Sequence, residues 1–440
     1  MHLRHGWLWF CLLSLLFSSS VVGCSSGGNS ESSASGSPPP TTPASASLIW
    51  SKQNVLFRSQ TDGSGIVTLA DNPGLDPFGT MVSGSTLVYH VTAPPIPPLT
   101  FGLNDLWQVQ TSGTGRQVIV ATADAENLRD VFVPWIIYDR SVHTQGTVSS
   151  STIRSARLDG PGQALLGTSA LYRLHVGERT VIEQVVNNGG GGSFSVLADG
   201  TDVRPLIDIP SRPGGDTFRT AAAAIGNTVL FDEFFFPENI SNILAVPITG
   251  EAVVPLTQGS DFQAFRLVVG QRIVYQRCKL VPIPGDRIPM VGPCDVYSVL
   301  SDGSGNVPLG IHADSEFTQG AIGDHVIIRR NDVAGDALYS IPAGGGTETP
   351  LIKLGQNEFV TVLVGDRMVL IRSNGLWSMK ADGSGLVQLT DDTSDRPTGS
   401  TGPFVCFQRG SSQPDLWCVP ADGSGGATQV AAGALFIGGL

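Results

Sequence analysis

Residues 359–391 read FVTVLVGDRMVLIRSNGLWSMKADGSGLVQLTD. The stretch from Leu376 alternates large and small side chains through Trp377, Ser378 and Met379, the period of a strand with one buried face. Asp382-Gly383 then supplies hairpin chemistry: the Asp side chain bonds its own backbone, and Gly takes the positive φ that a tight turn needs. Leu389 lies on the returning strand. Upstream, 368–372 (MVLIR) and 359–364 (FVTVLV) are two further apolar strands, separated by Gly365-Asp366. Thirty-three residues thus hold four short strands that run up and down in turn.

The same unit recurs nine times. Its third strand and turn read LFRSQTDGSG from Leu56, LWQVQTSGTG from Leu106, IRSARLDGPG from Ile153, SFSVLADGTD from Ser193 and ILAVPITGEA from Ile243. They continue as VYSVLSDGSG from Val296, LYSIPAGGGT from Leu338, LWSMKADGSG from Leu376 and LWCVPADGSG from Leu416. The spacing runs from 38 to 53 residues with a mean of 45. An apolar second strand precedes each copy, among them WIIYDR (135–140), RIVYQR (272–277), HVIIRR (325–330), MVLIR (368–372) and FVCFQR (404–409). Four strands in about 45 residues is the size of one blade of a β-propeller. The spacing therefore predicts an all-β chain folded as a single β-propeller of nine four-stranded blades over 47–440, with eight as the alternative if one unit is displaced. The first unit begins at its second strand, and the chain carries one strand too many after the ninth unit, Ala434-Leu435-Phe436-Ile437. That strand is expected to complete the first blade and close the ring, which leaves no exposed sheet edge.

Composition agrees. Of 440 residues, 54 are Gly and 29 Pro, which disfavours helix, while 41% are hydrophobic and only 15% charged, which disfavours disorder. The formal charge is −12 with no cluster of Lys or Arg, so nucleic acid is excluded as a partner.

The repeat resembles the TolB-like and WD40-like propeller repeats of bacterial envelope proteins, in its strand order and in its DGSG hairpin followed by a short apolar return. The Ser-Pro-Asp-Gly turn common in that family is replaced here by variants such as Val-Gly-Asp-Arg (364–367). The resemblance implies the blade. It does not bring the TolB partners with it, because TolB's additional domain has no counterpart here.

Residues 1–23 read as a signal peptide: Arg4, an apolar run from Leu8 to Phe17, then Val21-Val22-Gly23-Cys24. The last four residues resemble the lipobox of bacterial lipoproteins, which implies cleavage before Cys24, acylation of that residue and firm anchoring to a membrane. Ser25 after the cysteine points to the periplasmic side of the outer membrane. Residues 24–46 carry almost no charge or large apolar side chain and are expected to be a flexible tether. Four cysteines remain, and disulfides persist outside the cytoplasm. Local proximity predicts the pairs Cys278–Cys294 and Cys406–Cys418, each within one blade, although four cysteines allow three connectivities.

No G-x-S-x-G elbow, H-E-x-x-H helix or P-loop occurs, and His90, His143, His175, His312 and His325 are isolated from one another. No catalytic residue, metal site or cofactor is expected. Two features could carry binding. Insertions between second and third strands (92–105, 141–152, 186–193, 235–242 and the Cys278–Cys294 segment) fall on one face, where Phe235 and Phe236 are candidate apolar anchors. On the same face, the connections between blades repeat an acid followed by an aromatic: Asp76/Phe78, Asp216/Phe218, Asp261/Phe262, Glu316/Phe317 and Glu358/Phe359. One reading has each acid bonding blade backbone and each Phe packed between blades. The other makes Asp261, Glu316 and Glu358 part of an acidic ring that attracts a cationic ligand. The expected function is a monomeric, non-catalytic, lipid-anchored scaffold for envelope proteins. The alternative is an enzyme or a glycan- or cation-binding module working at the channel mouth.

Overall fold

The protein was analysed as a computed structural model that describes residues 45–92, 103–144, 147–186, 190–209, 211–212, 215–235, 238–282, 290–310, 312, 315–332 and 335–440. The signal segment, Cys24, nearly all of the tether and Phe236 lie outside the described residues. Strands, turns and loops make up everything described; no helix occurs among these residues. Nine antiparallel sheets follow one another along the chain, and each holds four strands in meander order. Blade 5 carries an additional two-residue strand, Ser211–Arg212. Blade 1 is completed by Leu435–Gly439, which pairs antiparallel with Ser47–Lys52 and becomes its innermost strand. The chain is a nine-bladed β-propeller closed by its C-terminal strand.

The core is not one mass but nine apolar wedges, each shared by two consecutive blades. Ile49 and Leu56 of blade 1 pack with Leu87 and Tyr89 of blade 2. Val181 of blade 4 meets Phe231 of blade 5. The wedge that closes the ring joins Leu48 and Trp50 of blade 1 to Phe404 and Leu416 of blade 9. A blade buries its two faces only against two neighbours, so the apolar alternation in every repeat requires the whole ring.

The turns behave as their chemistry dictates. Asp62, Asp302, Asp382 and Asp422 each accept the backbone N–H of the Ser two residues on, at 2.8–2.9 Å. The Gly after the turn position has positive φ in eight of the nine copies; Gly160 does not. Pro161 explains the exception. It has no N–H to give Asp159, and it disfavours helical backbone in the residue before it. Asp159 pairs with Arg157 instead, at 2.7 Å.

Between blades, side chains of the third strand reach across. Ser195 Oγ donates to the carbonyl of Ile248 at 2.7 Å, and Gln108 Nε2 to that of Leu158 at 2.8 Å. Ser155, Ser298 and Ser378 make the same bond to Ala198, Ala343 and Ala421. In blade 9 that position is Cys418, which is disulfide-bonded to Cys406 directly opposite on the second strand. Cys278 and Cys294 are likewise opposed and bonded in blade 6, so both predicted pairings hold.

Two expectations need correction. The segments 141–152 and 186–193 are mostly not loops: strands Trp135–Thr144 and Thr147–Arg157 extend the hairpin of blade 3, and Arg179–Val186 and Gly190–Leu197 that of blade 4. Paired backbone satisfies its polar groups internally, which a long polar insertion would otherwise leave to water. The Cys278–Cys294 segment is also partly paired, through Leu280 and Val291.

A regularity without any compositional signature also emerges. Every innermost strand skips register against the second strand at the same depth. The skipped residues include Arg129, Arg173, Arg266, Gln319 and Thr361. A bulge bends a strand, raises its twist and re-aims one side chain.

Closure depends on one close fit. A Cβ placed on Gly399 would lie 2.3 Å from the ring of Phe436 on the closing strand. Gly399→Val should therefore overpack the seam and lower the unfolding free energy by about 1–3 kcal/mol, read as a lower midpoint in urea with an unchanged slope. An unchanged midpoint would mean that Phe436 does not anchor the seam.

Candidate functional site

The innermost strands start, and the second strands end, on one rim of the ring, and the acid–aromatic connections lie there. Alternation decides where each side chain goes, because neighbouring residues on a strand point to opposite faces. The acids turn inward onto arginines of second strands; Arg372 and Arg409 end theirs, while Arg140, Arg277 and Arg330 are followed by further strand residues. Asp261 accepts Arg277 Nε at 2.7 Å. Glu316 accepts Arg330 at 2.9 and 3.0 Å. Glu358 accepts Arg372 at 3.2 Å and also the backbone N–H groups of Gly355 and Ser373 at 2.9 and 3.2 Å. Blades 3 and 9 repeat the pattern with Asp124–Arg140 and Asp395–Arg409, the latter bidentate at 2.7 Å. Each acid is thus charge-compensated inside its own blade. The sequence signal for this was the Arg after the apolar run of five second strands, at 140, 277, 330, 372 and 409.

Where the acid immediately precedes the ring, as at Glu316-Phe317 and Glu358-Phe359, the next residue faces out; Phe78 and Phe218 stand two residues after their acids, so alternation does not account for them. Phe78, Phe218, Phe317 and Phe359 are 81%, 55%, 42% and 41% exposed. The expectation that these rings pack between blades is overturned for these four. Phe262 is partly buried against Phe234, with ring centroids 5.9 Å apart. Phe235, the last residue of its strand, is partly buried on the same rim and pairs with Ile240. The side chain of Asp216 lies outside the described residues.

Three potential metal ligands converge: His312 Nε2 lies 3.8 Å from Glu316 and 3.5 Å from Glu348. Arg330 already sits between the two carboxylates. It donates to Glu316 as above and to Glu348 at 3.0 and 2.5 Å, and it stacks 4.0 Å over Tyr339. The guanidinium supplies the positive charge that these acids need, so the group is an ion-pair cluster. Among histidines on other elements, His175 Nδ1 is 2.5 Å from Asp130, which also accepts Tyr172 Oη, and His90 Nε2 accepts the Leu128 N–H. Both are held by structural partners.

Glu126, Glu316 and Glu358 occupy one register position in three blades, beside Arg140, Arg330 and Arg372 of the second strand, yet their acidities differ. The backbone donors and Arg372 outweigh burial at Glu358 and hold it below the usual carboxylate range. Burial outweighs Arg330 at Glu316 and raises it. At Glu126 burial dominates, because Arg140 bonds Asp124 instead. Among the described residues only the Thr122 hydroxyl donates to Glu126, its other carboxylate oxygen has no partner, and its pKa is pushed up to about 7.

A cavity of about 510 Å³ opens between blades 6 and 7, lined by Arg266, Gln276, Phe317, Thr318, Arg329 and Asn331 among others. Its volume is within the range of roughly 300–1,000 Å³ usual for small-molecule sites.

No family model matches this chain, and no curated protein does. Solved structures do. A Mycobacterium tuberculosis puromycin-hydrolyzing peptidase aligns at 14% identity and a TM-score of 0.42, over 80% of this chain and 53% of that one. The β-propeller domain of the Trilobed protease from Pyrococcus furiosus aligns at 10% identity and 0.40, over 70% and 98%. An oligogalacturonate lyase in complex with manganese aligns at 10% and 0.38, over 77% and 98%. The chain spans about half the length of the first peptidase. Similarity at this level carries neither peptidase nor lyase activity over to this protein.

Glu126 makes a pH prediction. A carboxyl with a raised folded-state pKa is stabilising when protonated, and stability falls as pH rises from about 4.5 through 7. Glu126→Gln should match the parent near pH 4.5 and exceed it by roughly 1–3 kcal/mol above pH 7.5. Urea unfolding across that range measures it, and equal pH profiles would contradict the assignment.

Proposed function

We propose that this chain is a lipid-anchored envelope β-propeller that holds a partner protein against the rim bearing Phe78, Phe218, Phe317 and Phe359, without catalysing a reaction. The observation that carries the reading is the outward placement of these four rings, exposed on blades 2, 5, 7 and 8 of one rim. Aromatic side chains displayed around a polar rim are the residues that dominate protein-binding energetics. The acids beside Phe317 and Phe359 are paired within their own blades, so there the rim offers apolar area more than net charge. The address belongs to the same proposal: Cys24 as the acylated residue, residues 24–46 as tether, and the periplasmic side of the outer membrane as location. The TolB-like character of the repeat supports an envelope role.

Affinity capture with the full-length chain from solubilised envelope tests this, comparing the parent with Phe317→Ser/Phe359→Ser. Both positions are exposed, so melting should shift by no more than about 0.5 kcal/mol, while capture of the partner should fall at least tenfold. Equal capture by parent and variant would remove the rim from the proposal. Capture of no protein, together with binding on a glycan panel, would favour the glycan-binding alternative.

A further inference from the structure

The bulged residue of the innermost strand is an arginine in blades 3, 4 and 6. In the first two it is neutralised by an acid on the second strand. Arg129 pairs with Asp139, and Arg173 pairs with Glu183 at 2.5 Å. In blade 6 the equivalent second-strand position is Gln276. Its Oε1 accepts Arg266 Nε, and its Nε2 donates to the carbonyl of Glu316 in the next blade, which fixes the amide. Arg266 makes no ion pair with any described residue. The carboxyl acting on it is that of Asp232, which bonds the Phe265 N–H at 3.2 Å.

The terminal N–H groups of Arg266 thus have no protein acceptor among the described residues, and Arg266 lines the cavity between blades 6 and 7. The other contributors suit an anion too. Arg329 adds a second guanidinium, tied on one side to Asp336. The buried Thr318 hydroxyl has no hydrogen-bond partner. Asn331 adds an amide, Phe317 offers an exposed ring, and no carboxylate among the described residues lines the cavity. A planar fork of N–H donors is the group that binds an oxyanion through paired hydrogen bonds, while the ring offers an apolar surface to the body of a ligand.

We propose that the cavity between blades 6 and 7 binds a small organic molecule carrying a carboxylate or phosphate group, with that group on Arg266 and its apolar part against Phe317. The proposal does not rest on the docking role of the rim. The site shares Phe317 with the rim, so its test rests on Arg266 and Gln276.

The experiment is calorimetric titration of the full-length chain with benzoate and with phenyl phosphate, and with benzyl alcohol as the uncharged control. Saturable one-to-one binding of at least one anion is expected, with benzyl alcohol at least tenfold weaker; whichever anion binds tighter identifies the head group. Arg266→Gln should weaken binding at least tenfold, and Arg204→Gln, on an outermost strand of blade 4, should leave it unchanged. Gln276→Glu sets beside Arg266 the acid found in blades 3 and 4, gives up the bond to the Glu316 carbonyl, and should likewise weaken binding tenfold, with its thermal unfolding transition confirming that it folds. No saturable binding, equal binding of benzyl alcohol, or undiminished binding by Gln276→Glu would each overturn the proposal.

Discussion

Every apolar face in this propeller is half of a wedge whose other half belongs to the next blade, and the last wedge exists only because Leu435–Gly439 returns to Ser47–Lys52. Without that pairing, Leu48 and Trp50 would face water on one side and the backbone of Ser47–Lys52 would be an open edge. The constraint also explains why nine dissimilar repeats keep the same alternation. A repeat may lose its Asp at the turn, as at Thr249 or Gly344, and still fold, but it cannot lose the apolar residues that face both neighbours.

Polar groups then adjust a ring already specified by apolar ones. The third-strand serines and Gln108 place a buried hydrogen bond across several seams. The acid–arginine pairs fix the ends of the innermost strands on the rim. Because Glu316 and Glu358 claim the inward face, their aromatic neighbours Phe317 and Phe359 are delivered outward. At Phe317 and Phe359 the exposed ring is thus a by-product of a buried ion pair one residue away. Local differences in this framework create chemical individuality. When Arg140 bonded Asp124, Glu126 was left buried without a direct ion pair, and when Gln276 stood in for an acid, Arg266 was left without one as well.

Much of the fold was legible in the sequence. The recurring DG turn, the strand alternation, the surplus C-terminal strand and both cysteine pairs gave the ring, its closure and its covalent bonds, since each rests on local chemistry with a fixed spacing. The exposure of Phe317 and Phe359 was not legible. A phenylalanine's usual preference is burial, and only the arginine after the apolar run of the second strand reveals which face is already taken. The bulges were equally silent, because Arg129, Ala222, Arg266 and Thr361 share no property beyond their depth in the blade. The cavity between blades 6 and 7 follows from such a bulge and so could not be read from sequence either. Pro161 is the reverse case: the residue that spoils one turn was visible, but its effect on Gly160 is a matter of backbone geometry.

The closing strand has a consequence in time. Eight blades are assembled from segments a few dozen residues long, but the first must wait for a strand nearly four hundred residues further along the chain. Loop-closure entropy makes that pairing the last to become favourable, while local hairpins form early. The molecule therefore passes through an open arc of near-complete blades before it becomes a ring. The seam between blades 9 and 1 is then also the place where native opening begins, and amide exchange along Ser47–Lys52 reports on it directly.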